Sequence, residues 1–201
     1  MISFKNKKFL VFDLDGTIVD LAVDWKKLKK ELSQRYSRLY GENCDFHSIS
    51  GCLDYVVEKK DKEELNNFFN LIESHETKNL DENIQINETV FFIKNLELFN
   101  VNEDVKLSVL SLNTRKTITE SLKLINILDK FDFIVGREDV RKWKPNPEGL
   151  LKVQEHYGCK KEEMIYFGDM KKDLQAGQDA GIETHLIDEL IELVNQKRQD
   201  K

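Results

Sequence analysis

Phe9-Leu10-Val11-Phe12-Asp13-Leu14-Asp15-Gly16-Thr17 is the stretch whose reading decides the fold. Four apolar residues in a row, Phe9 to Phe12, read as a short strand buried on both faces. Asp13 and Asp15 follow, and residues two apart on an extended backbone point the same way. The pattern predicts two carboxylates facing one spot just past the carboxyl end of the strand, where open α/β sheets bind their ligands. Gly16 permits a backbone conformation that other residues resist, and Thr17 adds a hydroxyl beside the acids. Two acids this close in a dry pocket need a neutralising cation or a retained proton. A hard cation such as Mg²⁺ takes carboxylate and phosphate oxygens together. A carboxylate can attack phosphorus. A second carboxyl group two residues on can protonate the leaving oxygen and then take a proton from water.

The rest of the chain limits what this spot can serve. Its 201 residues suffice for one domain with a real core, or a domain plus a small insert. With 40% hydrophobic and 34% charged residues it has the composition of a soluble globular protein. A formal charge of −6 argues against a general nucleic-acid or membrane-surface binder, since both need a basic face. No apolar run approaches the length of a membrane span. The run behind Lys5, Lys7 and Lys8 is too short for a signal segment, so a cytoplasmic location is expected. The three cysteines, Cys44, Cys52 and Cys159, are odd in number and widely spaced, which predicts free thiols. The four histidines, His47, His75, His156 and His185, show no metal-ligand spacing.

Between Ile18 and about Leu80 the pattern turns helical. Trp25, Leu28, Leu32, Tyr36 and Leu39 recur at three- and four-residue steps, and Gly41 follows as a left-handed cap. Residues 49–58 and 63–72 are further helix candidates. The spacing then predicts helices over 88–98, 114–128, 147–157, 172–180 and 188–195, the last capped by Asp188. Strands are predicted over 105–110, 131–135, 164–167 and 184–187. Strand and helix alternate after residue 85, so the expected fold is α/β: a Rossmann-like parallel sheet core flanked by helices, with a small helical cap inserted after the first strand. The expected division is 1–17 with 82–201 as catalytic core and 18–81 as cap. No Gly-x-Gly-x-x-Gly follows a strand, so nothing points to a dinucleotide.

Three later stretches end strands or follow them with polar groups. Ser111 closes the strand over 105–110, with Asn113, Thr114 and Arg115 behind it; taken alone, these residues read more readily as a helix cap than as a phosphoryl site. Arg141 to Pro147 holds the chain's two prolines, which stiffen the backbone on either side of Asn146 and present Lys144 at a fixed point. Ile165-Tyr166-Phe167-Gly168-Asp169 again runs an apolar strand into an acid, with Asp173 one helical turn on.

Asp13, Asp15 and Thr17 resemble motif one of the haloacid dehalogenase superfamily, Asp-x-Asp-x-Thr. Ser111 matches its motif two, with Thr114 the competing hydroxyl. Lys144-Pro145-Asn146-Pro147 resembles motif three, and Gly168-Asp169 with Asp173 and Ala180-Gly181 resembles motif four. All four occur in order, over roughly residues 5–20 and 82–190, and the helical insert lies where the superfamily carries its cap of the first type. The likeness is to its phosphoglycolate phosphatase-like members. It implies a Mg²⁺-dependent phosphatase acting on a small phosphorylated metabolite through an aspartyl-phosphate. In that reading Asp13 is nucleophile and metal ligand. Asp15 is acid and base, with its backbone carbonyl on the metal. Ser111 and Lys144 hold phosphoryl oxygens, Asp169 binds Mg²⁺, and Asp173 supports it. Keeping Asp15 favours phosphate-ester chemistry over dehalogenation. A sugar phosphomutase also needs both acids, and a silent core used for binding is the alternative outside enzymes. Neither a nucleic acid nor a membrane is an expected partner, and oligomeric state is unreadable.

Overall fold

A computed structural model describes residues 2–199. Five parallel strands form one sheet: β1 (Phe9–Phe12), β4 (Lys106–Leu110), β5 (Phe133–Val135), β6 (Met164–Gly168) and β7 (Glu183–Leu186). Their spatial order is β5-β4-β1-β6-β7. The chain leaves β1 towards β4 and later returns to its other side at β6. The order therefore reverses at β1, and such a switch point opens a crevice beyond the strand ends.

Both faces of the sheet are covered, which explains the unbroken apolar runs of β1 and β6. On one face Val11, Leu110, Val135, Met164 and Tyr166 pack with Leu150 and Val153 of α6 (Glu148–Tyr157) and Ala176 and Ala180 of α7 (Lys171–Ala180). On the other, Phe12 and Phe167 stack with centroids 5.3 Å apart, and Phe92 of α4 (Asn87–Lys94) approaches Phe12 at 6.3 Å. Helix α8 (Ile187–Gln199) packs on α4, and α5 (Arg115–Leu124) packs on β5.

The chain divides into two compact units, 1–21 with 83–201, and 22–82. The pattern change at Ile18 predicts a boundary after residue 17, and the compact units divide after Leu21. Val19 and Asp20 form β2, which pairs antiparallel with β3 (Ile84–Gln85) and so belongs with the sheet unit. Two-residue strands leave no periodic trace in a sequence.

The second unit holds α1 (Trp25–Tyr40), α2 (Ile49–Glu58) and α3 (Lys62–Glu76). Asp24 caps α1 by accepting the Lys27 N–H, and Gly41 ends it in the left-handed region. Its core is Leu28, Leu32, Tyr36, Phe46, Leu53, Val56, Phe68 and Ile72, with Phe46 stacked on Phe68. Cys44 and Cys52 are joined in a disulfide, against the expectation of free thiols, which holds for Cys159. Their eight-residue separation covers a turn into α2 that brings the two Cα atoms to 6.1 Å, within bonding range.

Two predicted helices are shorter than their apolar stripes. The helix from 88 stops at Lys94, where the Asn95 side chain donates to the Phe91 carbonyl, and a short 3₁₀ turn, Leu96–Phe99, follows. The helix from 114 stops at Leu124, and Asn126 turns the backbone left-handed. Asp188 lies inside the first turn of α8 rather than capping it. Among the described residues no helix is long and apolar enough to cross a membrane.

Candidate active site

The register of β1 sets the site. Phe12 lies level with Val109 of β4 and Phe167 of β6. Asp13, Ser111 and Asp169 therefore emerge at the carboxyl ends of three adjacent strands, about 4.8 Å apart from one to the next. Asp13 is held there by its own N–H, which donates to the Phe167 carbonyl at 2.8 Å.

The chain does not stay extended through Asp15. It turns at once, and the Leu14 carbonyl accepts from the N–H groups of Thr17, Ile18 and Val19. Gly16 makes the turn possible: its φ is +73°, and a Cβ there would lie 2.6 Å from Asp169 Oδ2. The two acids therefore take different surroundings. Asp13 Oδ1 accepts the Leu14 N–H at 2.8 Å, and Oδ2 faces the Lys144 ammonium at 2.8 Å. Asp15 Oδ1 instead accepts the Leu21 N–H at 3.0 Å. The turn also buries Thr17, whose Oγ1 makes no hydrogen bond.

Lys144 reaches the site from a braced loop. Glu148 accepts the N–H groups of Arg141 and Lys142, and Trp143 Nε1 donates to the Arg137 carbonyl. Lys144 is 3% exposed, and its ammonium meets three oxygens: Asp13 Oδ2, Asp173 Oδ1 at 2.6 Å and Tyr166 Oη at 2.9 Å. Asp173 sits in the first turn of α7, fully buried. Its Oδ1 also accepts the Tyr166 hydroxyl at 2.7 Å, and its Oδ2 accepts the Met170 N–H at 3.0 Å.

Ser111 and Thr114 separate by geometry. Thr114 is the N-cap of α5, with its hydroxyl accepting the Thr117 N–H. Ser111 follows β4 directly, accepts the Asn113 N–H and donates to Asn113 Oδ1 at 2.8 Å. Of the two hydroxyls, Ser111 is the one at the strand end.

The electrostatics follow from crowding four acids together, Asp13 and Asp173 buried, Asp15 half-buried and Asp169 on the exposed side. Burial is the main reason the Asp15 carboxyl is pushed up from 3.8 to about 7; the Leu21 N–H opposes it, and Asp13 and Asp169 add to it. Asp169 rises to about 6, again through burial first and then the charges of Asp13 and Asp173. Burial pulls Lys144 down, but Asp13 and Asp173 outweigh it and hold the ammonium above its ordinary value. Burial likewise opposes ionisation of Asp173, and the charge and hydrogen bond of Lys144 overcome it and keep that carboxyl below the usual range. Tyr166 is held well above 10 by burial and then by Asp173 and Asp13.

One carboxylate oxygen from each of Asp13, Asp169 and Asp173 lies within 4.8 Å of the others. Three hard oxygen donors suit a hard divalent cation such as Mg²⁺. Asp15 is not in that group. Of the residues singled out by sequence, the structure thus brings Asp13, Lys144, Asp169 and Asp173 into one cluster and sets Ser111 one strand away. Tyr166 escaped the sequence reading because it looks like one more apolar strand residue. A signal was present: a buried tyrosine needs a partner for its hydroxyl.

Comparison with known proteins places the fold and the family. Pyrophosphatase PpaX of Halalkalibacterium halodurans is 29% identical over 180 residues, covering 89% of this chain and 82% of that protein. Among solved structures, a haloacid dehalogenase-like hydrolase assigned in Bacteroides fragilis aligns with a TM-score of 0.65 at 24% identity, covering 89% of this chain and 86% of the other. A Lactobacillus plantarum protein assigned as a phosphoglycolate phosphatase aligns with a TM-score of 0.66 at 15% identity, covering 97% and 92%. At such identities these two likenesses speak for the fold. Residues 10–187 match the family described as haloacid dehalogenase-like hydrolase. With that match spanning nearly the whole sheet unit and the segment inserted in it, the chain belongs to the haloacid dehalogenase-like hydrolase family and is one of its hydrolases.

Proposed function

We propose that this protein is a Mg²⁺-dependent phosphatase that hydrolyses a small phosphorylated metabolite through an aspartyl-phosphate. The observation that carries the reading is the unequal treatment of the two acids of the first motif. Asp13 is braced against Lys144, whereas Asp15 is desolvated and titrates near neutrality, at about 7. A nucleophile must be ionised, and a general acid-base works best with a pKa near the working pH.

In this reading Asp13 attacks phosphorus and the bond to the leaving oxygen breaks. Asp15 hands its proton to that oxygen. Water then attacks the phosphorus of the aspartyl-phosphate, Asp15 takes back a proton, and Asp13 is released with inorganic phosphate. Asp13 and Asp169, with the Asp15 backbone carbonyl, would hold Mg²⁺. Asp173, whose two oxygens already serve Lys144, Tyr166 and Met170, would support the ion from outside. When bound, Mg²⁺ supplies charge neutralisation to the transferring phosphoryl group. Ser111 would hold one phosphoryl oxygen, Lys144 would turn its Asp13-facing donor to another as Asp13 bonds to phosphorus, and the unpartnered Thr17 hydroxyl would gain an acceptor on substrate binding. Unit 22–82 is assigned the part of a cap that selects the substrate.

The decisive experiment measures phosphate release from a panel of phosphometabolites with Mg²⁺. The panel includes pyrophosphate and phosphoglycolate, the compounds in the relatives' names. Asp13→Asn should fold normally and lose at least about a thousandfold in rate. Turnover retained in that variant rejects the aspartyl-phosphate.

A further inference from the structure

We infer that Tyr166 is a positioning residue whose hydroxyl fixes the Lys144 ammonium on the nucleophile Asp13, through a three-membered buried cluster with Asp173. The inference rests on the phosphatase reading above for what Lys144 does. It goes beyond that reading in naming what aims Lys144.

An ammonium has three N–H donors. In this site all three are accounted for: Asp13 Oδ2 at 2.8 Å, Asp173 Oδ1 at 2.6 Å and Tyr166 Oη at 2.9 Å. The last two acceptors lie on β6 and α7, in the packed body of the sheet unit. They anchor two donors and leave the third aimed at Asp13. A phenol suits this place because it accepts from Lys144 while donating to Asp173 Oδ1 at 2.7 Å. Asp173 is itself pinned through Oδ2 by the Met170 N–H. Each member of the cluster therefore fixes the next, and no solvent reaches the two carboxylate-facing groups to compensate for a loss: Tyr166 and Asp173 are fully buried.

Removing the hydroxyl leaves one Lys144 donor without an acceptor in a dry site and takes one donor from Asp173 Oδ1. The ammonium is then free to turn away from Asp13. Phenylalanine isolates this effect. It keeps the ring and its place in the core.

The test compares wild type and Tyr166→Phe in Mg²⁺-dependent hydrolysis of p-nitrophenyl phosphate. Lys144 works on charge that develops in the transition state, so kcat should fall about tenfold while KM stays within about twofold. The thermal melting point should stay close to that of wild type. An unchanged kcat overturns the inference. So does a rise in KM with kcat intact, or a loss of activity that merely tracks loss of folded protein, since either makes Tyr166 a binding or packing residue. If wild type itself releases no phosphate, the phosphatase reading has failed. Lysine ¹⁵N NMR of the metal-free protein then decides the positioning role. A slowly exchanging Lys144 ammonium signal, assigned with Lys144→Met and lost in Tyr166→Phe, supports it. The same signal in both proteins, or none in wild type, overturns it.

Discussion

Asp15 is the residue at which chemistry and stability pull apart. Burial raises its pKa from 3.8 to about 7, so the folded protein holds a proton that the unfolded chain releases across that window. Where the folded state binds more protons, stability falls as pH rises. The contribution of Asp15 is therefore least unfavourable below about 4, worsens between 4 and 7, and levels off above. Asp169, raised to about 6, adds to the same trend. In EDTA-treated protein, Asp15→Asn should be more stable than wild type at pH 8 by on the order of a few kcal/mol and melt correspondingly higher, with the gap closing towards pH 4. Equal melting points at pH 8 would show that Asp15 carries no such cost. The two aspartates were legible at this scale because a strand running into Asp-x-Asp-Gly-Thr is distinctive. Their inequality was not: it comes from the turn around Leu14 and from the neighbours that fold in from 144 and 169.

At the scale of elements, the sequence was most informative where a stripe of apolar residues ended on a cap, as α1 does between Asp24 and Gly41. It misled where the stripe ran on past a break. Ile125 and Leu128 continue the spacing of α5, yet the left-handed Asn126 and the hydrogen bonds of its neighbours end the helix first. The disulfide is another element-scale feature, since it ties the start of α2 to the loop before it. Closing so short a loop should stabilise unit 22–82 by about 2–3 kcal/mol, through the denatured chain. Alkylation of the purified, non-reduced protein should label Cys159 alone, and reduction should expose Cys44 and Cys52 and lower the melting point. Labelling of all three without reduction would show that the pair is not bonded in solution.

Across the whole molecule, the sheet order is what assembles the site. Strands β1, β4 and β6 are adjacent in space but begin at residues 9, 106 and 164. Their ends gather Asp13, Ser111 and Asp169, and α7 brings Asp173 back under the same spot. Three carboxylates against one ammonium leave a local excess of negative charge. A divalent cation binding there favours the folded state by mass action, by about 2.7 kcal/mol at a hundredfold excess over its Kd. Mg²⁺ should accordingly raise the melting point of EDTA-treated protein by several degrees, and Asp169→Asn should remove most of that rise. An identical Mg²⁺ response in wild type and Asp169→Asn would take Asp169 out of the ion's surroundings.

The sequence by itself determined the class of fold and the residues worth watching. Strand-helix alternation after residue 85 and buried runs such as Phe9–Phe12 and Met164–Phe167 are local patterns, and local patterns survive in one dimension. The tertiary structure alone decided what those residues face. It gave Asp15 a different hydrogen-bond partner from Asp13, gave the strand-end position to Ser111 and the helix cap to Thr114, joined Cys44 to Cys52, and set the Tyr166 hydroxyl between Lys144 and Asp173. The cause is the same in most of these cases. A side chain's hydrogen-bond partner and its dielectric surroundings depend on how the backbone turns and what packs around it, whether the partner lies six residues on, as for Asp15, or twenty-two away, as for Tyr166 and Lys144, and no apolar periodicity records them.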